Sequence, residues 1–349
     1  MKIDKQKPVL VTGATGYLAG WLVKELLENG INVHAAVRNP DNLGKVQHLL
    51  DMAENSPGNI IFFKADLLEE GSYELAMENC ELVYHTASPF VLKVKNNRKD
   101  LIEPALHGTQ NVLNAANKCN SVKRVVVTSS CAAIYGDAID LKDALDGEFT
   151  EENWNTTSSE NHQAYSYSKL LAEKEAWKMQ KNQDRWDLIT INPSLIVGPG
   201  TNPKATSGSF DIMKQMGNGM MKMGAPEMSI GAVDVRDVAH AHFLAGYTES
   251  AQGRYITSKE TVKFLELADM LRPNFGAKYP LPKKNLPKWL LWLFGPLAGM
   301  SRKEVSRSIG HPWKANNSKG IKELGMTYRS LDKAVNEMFQ QLIDSEQIK

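Results

Sequence analysis

The feature that most constrains this chain is a short apolar run, Val9-Leu10-Val11, that passes directly into Gly13-Ala14-Thr15-Gly16 and then into Leu18, Leu22 and Leu26. An apolar run, a glycine turn and a segment of helical period predict strand, tight turn and helix. Glycines at such a junction let backbone N–H groups come close to a phosphate, with the positive end of the following helix behind them. A phosphate loop of the Walker type is excluded, because no Gly-Lys-Ser/Thr follows. The spacing is Gly-x-x-Gly, with Ala19 at the third small position.

The pattern then repeats. Asn29-Gly30 closes the helix and Ile31 to Val37 supplies a second strand. Apolar runs at Ile60 to Phe63, Leu82 to Tyr84, Val125 to Val127 and Leu188 to Ile191 alternate with helix-length segments such as Gly108 to Lys118 and Tyr165 to Lys181. Such alternation predicts an α/β fold with a doubly wound, mostly parallel sheet. At 349 residues the chain also has room for a second lobe. The breaker-rich Gly198 to Pro203 marks a boundary, giving a first domain over 1–195 that carries the glycine turn and a smaller lobe over 196–349. Residues 231–246 resemble strand-to-helix material that returns to the first domain.

Individual residues carry the chemistry. The second strand ends in Arg38, with Lys45 soon after, where an NAD site usually places an acid. Cations there suit the 2′-phosphate of NADP. Asp66, after the third strand, is placed to accept from an adenine amino group or to cap a helix. Tyr165 and Lys169, four residues apart, share one helix face with the small Ala172 and Ala176. A phenol is a poor proton donor at neutral pH, and a neighbouring ammonium that stabilises the phenolate makes it a better one. Thr128-Ser129-Ser130-Cys131 follows an apolar strand and offers a hydroxyl as second donor to a carbonyl oxygen.

Taken together, Val11 to Tyr17, Val37 to Pro40, Ala65-Asp66-Leu67, His85 to Pro89, Thr128-Ser129-Ser130, Tyr165 to Lys169, Asn192-Pro193 and Asp234 to Ala239 make the chain resemble a known family. This is the short-chain dehydrogenase/reductase superfamily, in its extended branch of dihydroflavonol-reductase and cinnamoyl-CoA-reductase type. The resemblance covers most of the chain and implies a Rossmann-type first domain and an NADPH-dependent oxidoreductase that reduces aldehydes or ketones. It further implies that Ser130 and Tyr165 hold the carbonyl oxygen, that Tyr165 gives the proton, and that Lys169 binds the nicotinamide ribose. Gly13, Thr15, Gly16, Tyr17 and Leu18 would carry the pyrophosphate, Arg38 and Lys45 the 2′-phosphate, and Asp66 and Leu67 the adenine. Thr86, Ala87 and Ser88 would line the cofactor, and Pro193, Ser194, Leu195 and Ile196 the nicotinamide. Alignment to the sugar-nucleotide epimerase pattern through Tyr135-Gly136 would put Cys131 in the hydroxyl position, whereas the reductase branch favours Ser130, which is assigned here.

Phe90, Met213, Met216 and Met220 are candidates for an adaptable apolar substrate pocket, with ordinary core the competing reading of the methionines. His240 and His242, two apart on a helix, point in different directions, so no metal is expected. Lys plus Arg number 41 against 40 for Asp plus Glu, so nothing points to nucleic acid as a partner. Three scattered cysteines and an N-terminus lacking a secretory pattern suggest the cytoplasm, and a monomer or homodimer is expected. The apolar stretch 286–300, flanked by Lys283, Lys284 and Lys288, is too short to span a bilayer, which needs about 20 residues. A buried wall of the smaller lobe is the preferred reading, and an interfacial membrane helix the other. Two rivals to the reductase are a nucleotide-sugar epimerase, dehydratase or hydroxysteroid dehydrogenase on the same fold, and a non-catalytic NADP-binding redox sensor.

Overall fold

A computed structural model describes residues 1–89 and 94–348 of the chain. Its main sheet has seven parallel strands in the order β3-β2-β1-β4-β5-β6-β9. These are β1 Val9–Thr12, β2 Val33–Val37, β3 Ile60–Lys64, β4 Leu82–His85, β5 Arg124–Thr128, β6 Asp187–Pro193 and β9 Gly253–Thr257. A second sheet, ordered β10-β8-β7, joins β7 Leu195–Val197, β8 Ser229–Asp234 and β10 Glu260–Lys263. Strand order reverses between β1 and β4, the switch point above which doubly wound sheets bind ligands.

In the first domain, α1 Tyr17–Glu28, α2 Leu43–Glu54, α3 Glu74–Met77, α4 Glu103–Lys118 and α5 Ala164–Lys181 connect successive strands. Of the later helices, α6 Gly208–Gly217, α8 Phe264–Phe275 and α12 Leu331–Asp344 enclose a second core, α9 Lys288–Phe294 and α10 Arg302–Ser308 pack on each other, and α11 Ser318–Leu324 packs on β9 with Leu324 in the first core. The remaining helix, α7 Val235–Tyr247, lies against the first domain: Val238, Ala241 and Ala245 share one core with Leu22 and Leu26 of α1. Gly246 permits this approach, since a Cβ there would stand 2.1 Å from the Tyr84 hydroxyl. The fully buried Arg124 fastens the same junction. Its guanidinium pairs with Asp187 at 2.9 Å and donates to the carbonyls of Ala245 (2.9 Å) and Thr248 (2.7 Å), a cation at the negative end of a helix.

Two features depart from the sequence boundaries. Strand β9 completes the main sheet from beyond residue 195, although Arg254 interrupts its apolar run. The 286–300 stretch is not a buried wall: α9 buries none of its residues, and Trp289, Trp292, Leu293 and Phe294 are exposed. No helix among the described residues is long and apolar enough to cross a membrane.

Candidate active site

The glycine turn is built on backbone geometry. Gly13 adopts φ +62°, donates its N–H to the Ala36 carbonyl at 3.0 Å, and lies so close to β4 that a Cβ would stand 3.0 Å from that of Ala87. Gly16 heads α1 with no side-chain cap, and the first turn carries no acid. First-turn N–H groups are therefore left for an anion to satisfy. The side chains of Tyr17 and Leu18 turn inward, so their part in such a site runs through their backbone. The Tyr17 phenol donates to the Gly198 carbonyl at 2.6 Å and packs edge-on against Phe210; burial, and then the nearby Asp234, hold it well above the usual phenol range. Thr15 is half-buried beside the open Gly16.

Beneath this turn the ends of β1 and β4 are cross-linked. The fully buried Thr12 hydroxyl accepts from the Ala87 N–H at 3.0 Å and meets His85 Nδ1 at 3.0 Å, while the Thr86 hydroxyl donates to the Thr12 carbonyl. Burial, and then the Lys169 charge, push His85 down to about 3, so its imidazole is neutral beside Thr12. Arg38 and Lys45 are exposed, and neither enters an ion pair or side-chain hydrogen bond among the described residues. Burial is the largest influence raising the Tyr73 phenol, with the Asp66 carboxylate raising it further and Arg38 opposing both, so these three are electrostatic neighbours. Asp66 Oδ1 accepts from the Leu68 N–H at 2.9 Å in a turn and caps no helix, since the next one starts only at Glu74.

Just past the end of β5, the three candidate side chains are sorted by their partners. Ser129 is buried and donates to Glu173; Cys131 is buried with its thiol on the Asn192 carbonyl at 3.3 Å. Ser130, between them, is half-buried and its Oγ accepts from the Ala132 N–H at 3.1 Å, leaving its O–H to donate elsewhere. Helix α5 packs on the turn Cys131–Ala133 and begins after Gln163, which takes a left-handed φ of 54°. Tyr165 is exposed and the Lys169 Nζ stands 5.9 Å from its ring centroid. That ammonium also donates to Ser88 Oγ at 2.9 Å, tying α5 to the β4 end. Leu67, Ala87, Ser88 and Lys169 line one crevice between α4 and α5 with His85, Thr128 and Ser129. Pro193, Ser194, Leu195 and Ile196 stand apart from that crevice, where the chain crosses from β6 to β7; Ser194 donates its N–H to the Thr257 carbonyl at 3.0 Å.

The substrate candidates divide differently. Met213 and Met216 are fully buried in the second core with Phe210 and Phe339, where they serve as packing. Helical spacing on α6 sets this, because both lie on its inward face. Met220 is exposed on the turn beyond α6, and Phe90 lies outside the described residues. His240 pairs with Glu25 at 2.6 Å, while His242 is buried against Thr128 at 2.7 Å; the two rings face different neighbours.

Sequence reasoning missed Glu173. Buried one and two turns below Lys169 and Tyr165, it accepts from Ser129, Arg254 Nε (2.6 Å), Asn192 (2.8 Å), Thr190 (3.2 Å) and Trp177 (3.2 Å). Arg254 in turn donates to the carbonyls of Glu151 (2.7 Å) and Asn153 (2.6 Å) and stacks 3.9 Å over Trp154. The signal was an acid beside Ala172 and Ala176 on the helix face that must be buried. A second cluster holds the loop before Tyr165: buried Asp137 joins His162 at 2.8 Å and Arg307 at 2.5 Å, and Arg307 reaches Asp140 at 2.9 Å.

A glycine turn at the switch point of the sheet, with Lys169 reaching from the Tyr165 helix to the neighbouring β4 end, agrees with the comparisons to known proteins. The model of the NAD dependent epimerase/dehydratase family matches residues 9–255. The chain belongs to this family. Its relatives place it in the reductase branch: it is 40% identical over 279 residues to cinnamoyl-CoA reductase CAD2 of Medicago truncatula, covering 79% of this chain and 83% of that one. It is 37% identical over 291 residues to anthocyanidin reductase of Arabidopsis thaliana, covering 80% and 82%. Among solved structures it is similar to Gre2 of Candida albicans in complex with NADPH, at 28% identity and a TM-score of 0.75, covering 97% of this chain and 99% of that one.

Proposed function

We infer that this family member is an NADPH-dependent carbonyl reductase in which Tyr165 gives the proton to the reduced oxygen. The observation that carries the reading is the position of Lys169, whose ammonium lies beside the Tyr165 ring and also donates to Ser88 at the β4 end. Phenol, ammonium and crevice wall are thus joined by one side chain.

The donor set fits a phosphorylated dinucleotide: uncapped N–H groups at Tyr17 and Leu18, a close backbone approach at Gly13, and cations at Arg38 and Lys45 without ion pairs among the described residues. NADPH, when bound, supplies the hydride. Arg38 and Lys45 hold its 2′-phosphate, Asp66 and Leu67 border its adenine, and Thr86 to Ser88 with Pro193 to Ile196 face its nicotinamide end. Ser130 donates its free O–H to the carbonyl oxygen, Tyr165 transfers its proton there, and the Lys169 ammonium stabilises the phenolate left behind. The reductase names of the relatives support a carbonyl as substrate.

A panel of aldehydes, ketones and aromatic CoA thioesters, scored by NADPH oxidation, tests the assignment. Consumption with at least one member, and much slower turnover with NADH, is expected. NADPH that binds but is not oxidised with any of them would contradict it.

A further inference from the structure

The surface around α9 departs from the electrical balance of the rest of the chain. Residues 276–303 contain Lys278, Lys283, Lys284, Lys288, Arg302 and Lys303 and no Asp or Glu, in a chain whose totals are 41 and 40. Lys278, Lys283, Lys284 and Lys303 are exposed and enter no ion pair among the described residues. Between these cations, Trp289, Trp292, Leu293 and Leu297 recur at three- and four-residue intervals, so they fall on one side of the helical segment, and all are exposed, Leu297 by 88%.

The neighbouring turn extends the same surface. Ala225 bridges to Asn285, and a Cβ on Gly224 would stand 3.0 Å from Leu286, which places Met220, Lys222 and Met223 alongside. The two methionines are exposed, and no acid occurs between Asp211 and Glu227. The segment is held to the protein by Lys288, whose Nζ donates to the Ile309 carbonyl at 2.7 Å, and the Arg302 guanidinium adds a cation to the exposed face itself, 4.7 Å over Trp292. The apolar side chains are thus presented by an anchored element.

We propose that this face docks the protein on an anionic lipid bilayer surface. Indole rings are suited to the level of the headgroups, leucine side chains reach the acyl boundary, and long lysines keep their ammonium groups among lipid phosphates. Charge decides against a second copy of the chain, because a symmetric pair would bring two acid-free cationic rims together. Arg307 of α10 also joins this element to Asp137 and Asp140, on the loop that leads to Tyr165, so docking would set the catalytic loop near the bilayer.

Co-sedimentation of the full chain with sucrose-loaded phosphatidylcholine vesicles, with and without about 30% phosphatidylglycerol, tests the proposal. Partitioning at least about tenfold stronger with the anionic vesicles, weakened by added salt and accompanied by a blue shift of tryptophan emission, is expected. K283E/K284E and W289S/L293S should each reduce it about tenfold while leaving the melting temperature unchanged. No sedimentation with either vesicle, equal sedimentation with both, or variants that bind like the parent would overturn the proposal. So would a concentration-dependent dimer, dissolved by W289S/L293S, in a protein that ignores vesicles.

Discussion

The two halves of the candidate site are constructed differently. On the side proposed for the phosphates, Gly13 to Leu18 offer backbone and a helix end, and Arg38 and Lys45 project into solvent without partners among the described residues. On the proton side, Ser130, Tyr165 and Lys169 ride on elements locked from below by buried Glu173 and Arg254. A ligand-binding group that costs the fold nothing can be removed with a loss of affinity alone. Groups positioned by a buried ionic hub couple chemistry to stability.

The hub offers the largest break in that comparison. Glu173→Gln leaves the Arg254 guanidinium buried without its counter-charge, and loss of one partner of such a pair costs about 3–5 kcal/mol. Urea unfolding should show that loss, and a midpoint equal to the parent's would mean that the hub holds nothing. Next come the adjacent serines. Ser130→Ala should lower turnover about 10²–10³-fold with the melting temperature preserved, as removal of an oxyanion donor does. Ser129→Ala should do the reverse, losing stability because Glu173 loses a buried donor, with little change in turnover per folded molecule. Equal effects of the two substitutions would erase the distinction between the two side chains.

On the phosphate side, Arg38→Ala should raise the KM for NADPH about 10- to 100-fold, the worth of a charge-assisted hydrogen bond of about 1.5–3 kcal/mol. The KM for NADH and the melting temperature should hardly move, and an equal rise for both cofactors would sink the 2′-phosphate assignment. One effect is shared, since each side contains a buried neutral histidine. Burial lowers His85 to about 3 and His242 to about 4 from the ordinary 6.5. Below 6.5 the unfolded chain binds protons that the folded one refuses, so their contribution is complete above that value and lost as pH falls toward 4 and then 3. Melting temperatures measured from about pH 7 downward should fall accordingly, and His242→Gln should make that fall shallower.

The same contrast explains what the sequence made legible. A strand, a glycine turn and a helix are local patterns, so β1, the turn and α1 could be read directly, and so could the parallel α/β order and the family resemblance. Strand alternation alone did not choose among Ser129, Ser130 and Cys131; the partners that choose, Glu173 and the Asn192 carbonyl, lie on α5 and β6. Arg254 hid β9, because a charged residue in an apolar run tells against a buried strand until its carboxylate is known. For Met213 and Met216 the sequence left core and pocket wall both open, since one helix face does not reveal what packs against it. The exposure of α9 was the least legible of all: apolar composition predicted burial, and only the absence of a covering element in the fold reversed it.

The account rests on the Tyr165 phenol, and Tyr165→Phe tests it most directly when cofactor binding and turnover are measured on the same preparation. NADPH should bind with unchanged affinity while carbonyl-dependent oxidation falls about 10²–10⁴-fold, the usual contribution of a positioned general acid. A variant that reduces the carbonyl as fast as the parent would contradict the account.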